Sequence, residues 1–183
     1  KREKHYNGVR MQQGRVQVDA DWNEQLDIQA HLRNTQSTDV FGACGASRLN
    51  GWFEITAVSG GSDLLISPGR MYVDGMLCEN EPGEEDENEG KTLYTGQPYN
   101  PGASLPEEEG LYAVYLDVWE RHITAIEDAA IREVALGGPD TATRTQTLWQ
   151  VKLMQVDEMN TAGAPLTCWD QPSQWTGLLQ QRK

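Results

Sequence analysis

Two apolar segments, one on each side of a long polar loop, constrain the fold of this chain more than any other feature. Nearly every residue in 111–119 is apolar or aromatic, which is typical of a strand covered on both faces. In 147–156 apolar residues alternate with polar ones, which predicts a half-buried strand. We therefore expect residues 111–156 to form the core strands, joined by a loop that ends in a polar, Thr-rich arm at 137–146.

The rest of the chain carries short strand patterns separated by turn formers. Residues 52–79 predict a β meander with a tight Asp74-Gly75 turn, and two further short strands are expected on either side of Gly14. Residues 80–110 are acidic and rich in Pro and Gly, which favours solvated loops over a calcium site. Because no alternation of strands and helices occurs, we expect a mainly β (α+β) fold, an antiparallel β-sheet domain with one prominent N-terminal helix.

Two helical patterns interrupt these strands. The stronger covers 22–35, which contains neither Gly nor Pro, and Asp21 with Glu24 predicts a capping box at its start. The weaker covers 126–134 and predicts a short helix or turn whose apolar residues face inward. These inward residues are Ile126, Ala130, Ile131 and Val134.

The helix at 22–35 presents two apolar stripes. Ile28 and Leu32 form one of them, and the other follows a spacing of i, i+4, i+8 and i+11. Its members are Trp22, Leu26, Ala30 and Arg33. Two stripes would let the helix contact both its own domain and a partner, and an ordinary surface helix packed on one core is the alternative.

Composition excludes some partners and favours others. The net charge of -13 argues against nucleic acid, because binding phosphates requires clustered Lys and Arg. No apolar run approaches the ~20 residues of a membrane span, so we expect no membrane insertion. Six Trp and six Tyr against two Phe favour half-exposed surfaces such as subunit interfaces, because indole and phenol groups combine apolar area with a polar atom.

No combination of reactive residues predicts catalysis. The candidates are three scattered histidines and two carboxylate pairs: His5, His31, His122, Asp19 with Asp21, and Asp117 with Glu120. A carboxylate pair could serve a glycosidase, but neither pair is supported by a second sequence feature. Cys44 lies among small residues without a neighbouring His, which favours a structural role. We therefore expect a protein that is not an enzyme and has no catalytic, cofactor or metal site.

A resemblance to a known family adds a biological setting. Residues 8–25, GVRMQQGRVQVDADWNEQ, resemble the opening motif of a bacterial domain family of unassigned function whose members accompany phage-tail-like contractile injection systems. The resemblance extends to 118–124 and 134–145, and the segment 66–75 is similar to a hairpin of tail-fibre and baseplate proteins. The length leads us to expect that 1–183 is a single domain, and the resemblance implies that this domain opens a longer polypeptide. The resemblance also implies assembly in the bacterial cytoplasm as part of a tail-like particle, with release from the cell as a further possibility.

These observations together predict a structural role. We expect a non-enzymatic structural or assembly subunit of the contractile particle, as a baseplate, cage or fibre component, whose partners are its own copies in a trimer or hexamer and other particle components. The alternative is a glycan-binding module, or an accessory domain of a carbohydrate-active surface protein, that uses exposed Trp side chains to stack on sugars. The candidate side chains are Trp52, Trp169 and Trp175, for each of which packing in the core is the competing interpretation.

The predicted interface combines the helix face with the polar arm. Its residues are Trp22, Leu26, Ala30, Arg33, Thr141, Thr143, Arg144 and Thr145. Arg144 could form a charge-assisted hydrogen bond with a carboxylate of a neighbouring copy, and the extended arm could add to that copy's sheet edge. The alternative is an arm that folds back on its own sheet.

Overall fold

The computed structural model describes residues 2–47, 53–81 and 90–155. Within them the fold is mainly β, with antiparallel sheets and a single α-helix near the N-terminus, as the sequence predicts. The strands, numbered in chain order, are β1 (Cys44–Ala46), β2 (Ile55–Ala57), β3 (Leu64–Ile66), β4 (Gly69–Val73), β5 (Met76–Asn80), β6 (Thr92–Leu93), β7 (Tyr112–Ile123) and β8 (Arg144–Gln155). Two compact units are present. Unit 1 contains Lys1–Ala46 and Met71–Leu77, and unit 2 contains Ser47–Arg70 and Cys78–Lys183.

The helix of unit 1, α1 (Asp19–Phe41), is longer at both ends than the predicted segment 22–35. Its N-cap is Val18, which makes no side-chain cap, so the predicted capping box at Asp21 is wrong. Carboxylates in the first turn favour this start instead, because they lie near the positive end of the helix dipole. The helix ends at Gly42, which has φ 80°.

No helix in the described ranges combines the length and apolar character that a membrane span requires.

The sheet of unit 1 is built on a two-residue hairpin. β1 pairs with β4 in antiparallel register, and β4 is hydrogen-bonded to β5 on its other side. The predicted tight turn is confirmed, since Asp74 and Gly75 join β4 to β5 with φ values of 48° and 79°. Both residues have positive φ, as the turn type that suits the twist of paired strands requires.

The hairpin turn packs directly on α1. A Cβ atom on Gly75 would lie 2.3 Å from the backbone oxygen of Asn34. Near the end of the helix, Phe41 stacks on Tyr72 of β4 with ring centroids 4.8 Å apart. Within unit 1, the C-terminal half of α1 is therefore held by one side against the hairpin.

The segment before α1 does not form the two short strands predicted around Gly14. The structure has no strand in 5–18, and this stretch is tied to the helix by a side chain instead. The Val9 N–H donates to Oε1 of Gln25 over 2.7 Å. A strand needs a partner for its backbone groups, and none of the described strands pairs with this segment.

Unit 2 contains two further antiparallel sheets. β2, β3 and β6 form one of them, so the strands of the predicted 52–79 meander lie in two sheets rather than one. β7 and β8 form the other, in continuous register from Tyr112 opposite Gln155 to Ile123 opposite Arg144, which confirms the predicted core strands. The buried apolar residues are Ile66, Cys78, Tyr94, Ala113, Ile123, Ala125, Leu148, Trp149 and Val151.

A buried amide joins the predicted loop region to β8. Gln97 is 4 % exposed, and its Oε1 accepts from the Val151 N–H over 2.6 Å while its Nε2 donates to the Val151 carbonyl over 3.0 Å. The same Nε2 donates to the Tyr94 carbonyl over 2.9 Å. The side chain thus acts as a short piece of neighbouring strand. Residues predicted only as irregular loop therefore contribute to the core.

Candidate interaction surfaces

The exposed faces of α1 form the first candidate surface. The helix has no buried residue, and its exposed large apolar side chains run along its whole length. They are Trp22 (58 % exposed), Leu26 (48 %), Leu32 (48 %), Val40 (67 %) and Phe41 (47 %). Exposed apolar area is unfavourable in water, and Trp22, Leu26 and Val40 share one side of the helix, so this side is a candidate contact surface.

The helix residues predicted at an interface share one side of α1. Trp22, Leu26 and Arg33 are exposed, and Ala30 is half-buried. Val40 lies on the same side, five residues beyond the predicted end of the helix. The sequence signal for the extension was present, because neither Gly nor Pro occurs between the predicted end and Gly42.

The loop between β7 and β8, residues 124–143, forms the second candidate surface and is called the hairpin loop. It contains two short 3-10 helices, Ala129–Ile131 and Val134–Leu136. Three aliphatic side chains project from it: Ile126 (91 % exposed), Val134 (85 %) and Leu136 (69 %). The prediction that Ile126, Ala130 and Val134 face inward is therefore wrong, because Ala130 is exposed as well, and the fourth residue, Ile131, is half-buried.

Short-range polar contacts set the shape of the hairpin loop. The Glu127 carboxylate accepts from the Arg121 guanidinium and from the Thr124 N–H, and these two contacts lower the pKa of Glu127. Asp128 caps the first 3-10 helix by accepting from the Ala130 N–H, and a second carboxylate caps the next helix in the same way. Because these contacts satisfy the backbone locally, the aliphatic side chains are not needed to hold the loop together.

The Thr-rich arm leads from this loop into β8. Thr141 and Thr143 are exposed and precede the strand, whereas Arg144 and Thr145 begin it and lie opposite residues of β7 in the same chain. The Arg144 guanidinium donates to the Thr143 carbonyl over 3.0 Å. The end of the arm thus folds back on its own sheet, and contact of its side chains with another copy stays a prediction.

The carboxylate pairs considered for catalysis do not face one another across a cleft. Asp117 forms an ion pair with Lys152 across the β7–β8 sheet, at 2.7 Å between Oδ2 and Nζ. Glu120, three residues further along β7, points to the opposite face of the strand. Asp19 and Asp21 both lie in the first turn of α1. These positions fit cross-strand and helix-dipole roles.

The histidines are distributed over separate elements. His5 follows a short 3-10 helix at Arg2–Lys4, His31 lies in α1 near the Thr35 hydroxyl, and His122 lies in β7. In the described ranges, no group of three or more His, Cys, Asp and Glu side chains is placed to hold a metal ion. Trp52, Trp169, Trp175 and the acidic residues 82–89 lie outside the described residues.

Neither described cysteine offers a reactive thiol. Cys44 is disulfide-bonded. Cys78 forms no disulfide and is only 1 % exposed, and burial raises the pKa of its thiol to about 12. Because the thiolate is the nucleophile, burial suppresses its reactivity at neutral pH.

Alkylation tests the burial of Cys78. At pH 8, iodoacetamide should modify Cys78, which is read out in the tryptic peptide 71–91, on the order of 1,000-fold more slowly in buffer than in urea. In urea the thiol is exposed and regains its ordinary pKa, so it is partly ionised at this pH. Mass spectrometry of the digest measures both rates. Equal labelling of that peptide in buffer and in urea would contradict a buried thiol.

Comparison with known proteins gives the chain a family. No curated protein and no solved structure matches it. The segment 8–25, with its Gln- and Asp-rich motif before and within α1, lies inside the part that a family profile covers. That profile describes DUF6519, a family of unknown function, and it matches residues 2–166, so the chain belongs to this family.

Proposed function

We propose that this chain is a non-enzymatic structural subunit that assembles with its own copies, and with other components, into a phage-tail-like contractile particle. The observation that carries the proposal is the exposure of large apolar side chains on two ordered elements, α1 and the hairpin loop. The kind of particle rests on the resemblance of residues 8–25 to the opening motif of proteins that accompany contractile injection systems.

The physical character of the two surfaces supports assembly. The backbone of α1 is held by its own hydrogen bonds, and that of the hairpin loop by side-chain caps. Ordered surfaces lose less conformational entropy on association than mobile ones, so more of the apolar contact energy remains as affinity. The net charge of -13 opposes association between copies, which leaves apolar contact as the attractive contribution.

Assembly is tested by sedimentation of particles from the native bacterium. We expect the chain to pellet with tail-like particles, to be labelled on them by antibody in electron micrographs, and to be present in multiples of three, because a trimer or hexamer fits the symmetry of such particles. A matched strain in which Trp22→Ala, Leu26→Ala and Ile126→Ala are combined should leave the chain in the supernatant, since these three side chains supply exposed apolar area on both surfaces.

A chain found only in the supernatant, and only as a monomer by light scattering at micromolar concentration, would overturn the proposal. A particle-bound chain that is unaffected by the triple substitution would place the assembly contacts on other residues. His31→Ala, Thr35→Ala and Arg132→Ala together serve as the control, because they change exposed residues of the same two elements without removing large apolar side chains.

A further inference from the structure

Six exposed residues of α1 follow the spacing of a coiled-coil seam. Successive members are separated by 4, 3, 4, 3 and 4 positions, which is the alternation of a and d positions in a heptad repeat. We call this set the α1 seam: Trp22, Leu26, Gln29, Arg33, Gln36 and Val40. It lies on a side of the helix away from Asn34, which meets the hairpin turn, whereas Gln25, which is tied to Val9, flanks its N-terminal half. All six seam residues are nonetheless exposed, so a second helix can reach them.

The α1 seam is complementary to a second copy of itself that runs in the opposite direction. When two copies run antiparallel with the twofold axis at position 31, Trp22 meets Val40 of the other copy and Leu26 meets Gln36. At the centre, Gln29 meets Arg33 twice, and the amide oxygen can accept from the guanidinium. Each of these contacts joins an a position to a d position, as antiparallel pairing requires, and each occurs twice, as in any twofold interface.

A parallel pair fits less well. In parallel register each seam residue meets its own copy, so Arg33 would meet Arg33 at the centre of the interface. Two guanidinium groups in contact repel each other. Trp22 would also meet Trp22 at one end while the smaller Val40 met Val40 at the other. The antiparallel arrangement instead places a large side chain against a small one at both ends.

We propose that the α1 seam pairs with the same seam of a second copy of this chain, as an antiparallel twofold helix pair. This inference rests on the proposed function in so far as that function requires self-association. A twofold pair closes on itself, so it joins two subunits and leaves higher symmetry to another surface. A hexamer that combines twofold and threefold axes accommodates both kinds of contact.

Photocross-linking of the full chain distinguishes the arrangements. Val40 is replaced by benzoylphenylalanine, the purified protein is irradiated, and the product of doubled mass is reduced and digested with trypsin. Val40 lies in peptide 34–48 and Trp22 in peptide 16–33. We expect adducts between these two peptides, with mixed isotope labels showing that they come from different copies. Residues 22 and 40 are 18 positions apart, or ~27 Å along the helix, so no adduct between them forms within one copy.

A pair of substitutions checks the contribution of the seam to affinity. Leu26→Glu should raise the dissociation constant of the dimer at least ~10-fold, because it replaces an apolar side chain buried in the seam by a charged one that the Gln36 amide opposite cannot neutralise. His31→Glu introduces the same charge on the exposed opposite side of α1 and should change the constant less than ~2-fold. Analytical ultracentrifugation measures both constants, and circular dichroism confirms that each variant keeps its helix.

Each alternative gives a different result and overturns the inference. Adducts between two 34–48 peptides indicate a parallel pair, and adducts within one copy to peptides of unit 2 indicate that the chain covers its own seam. A full chain that remains monomeric and forms no adduct of doubled mass shows that no second copy binds there. In that last case the chain can still sediment with particles, so failure of the seam and failure of the proposed function are separable.

Discussion

Replacing Gly75 by alanine should lower the free energy of unfolding of unit 1 by roughly 3–5 kcal/mol, which is at the upper end of single-substitution effects. Part of the loss is backbone strain, because φ is 79° at this position and an L-residue in the left-handed region costs ~1–2 kcal/mol. The larger part is steric. A Cβ there would lie 2.3 Å from the Asn34 oxygen and 2.8 Å from its carbonyl carbon, and both atoms belong to the backbone of a helix.

The clash cannot be relieved by turning a side chain, so the β4–β5 hairpin has to move away from α1. Gly14→Ala is the matched control, since Gly14 has φ 74° but a Cβ there would meet nothing within 4 Å. It should cost no more than ~1–2 kcal/mol. Urea denaturation followed by circular dichroism, together with hydrogen exchange in peptide 34–48, measures both variants. Equal effects at the two positions would show that the hairpin does not press on the helix.

The Asp74-Gly75 turn and the individual strands β7 and β8 were predictable because each is specified by its own residues. A type I′ two-residue turn needs positive φ at both central positions, and Asp-Gly is among the pairs that adopt it most readily. The apolar patterns in 111–119 and 147–156 each predict a strand, whereas the register that pairs these strands across the long loop is seen only in the structure. In these elements the residues that specify the structure are close in sequence to the structure they specify.

The outward side chains of the hairpin loop were not predictable from periodicity. A helical spacing of Ile126, Ala130 and Val134 indicates that one face is apolar, and it does not say whether a core lies beside that face. Here Asp128 and the Glu127–Arg121 ion pair fold the loop locally, so the apolar face is left without a core to cover it. Exposure depends on the rest of the fold, which the local pattern does not contain.

The contribution of Gln97 was missed for a different reason. Its partner Val151 is 54 positions away in the sequence, and the surrounding Gly, Pro and Asn residues favour a solvated loop. A glutamine amide has a donor and an acceptor side by side, and it can therefore pair with both backbone groups of one strand residue. Glutamine carries no sequence signal that separates this role from an ordinary surface side chain.

Gln97→Leu should destabilise unit 2 by roughly 3–5 kcal/mol, because a side chain of similar size removes every polar contact of the amide. The substitution removes the hydrogen-bond partner of three backbone groups: the Val151 N–H, the Val151 carbonyl and the Tyr94 carbonyl. Each buried group left unsatisfied costs about 1–3 kcal/mol. Water cannot readily replace the amide, since Val151 is 2 % exposed and Tyr94 is 5 % exposed.

Gln146→Leu makes the same chemical change at a contact that is partly accessible to water. The Gln146 Nε2 lies 3.1 Å from the Tyr99 hydroxyl. This substitution should lower the free energy of unfolding by less than ~1 kcal/mol, because both groups can turn to solvent. Urea denaturation gives the two free energies, and hydrogen exchange of the Val151 amide reports the lost contact directly. Faster exchange at Val151 is expected in Gln97→Leu alone. If the two leucine variants are equally stable, the Gln97 amide does not hold β8, and the loop at 94–97 is attached to unit 2 by its apolar contacts.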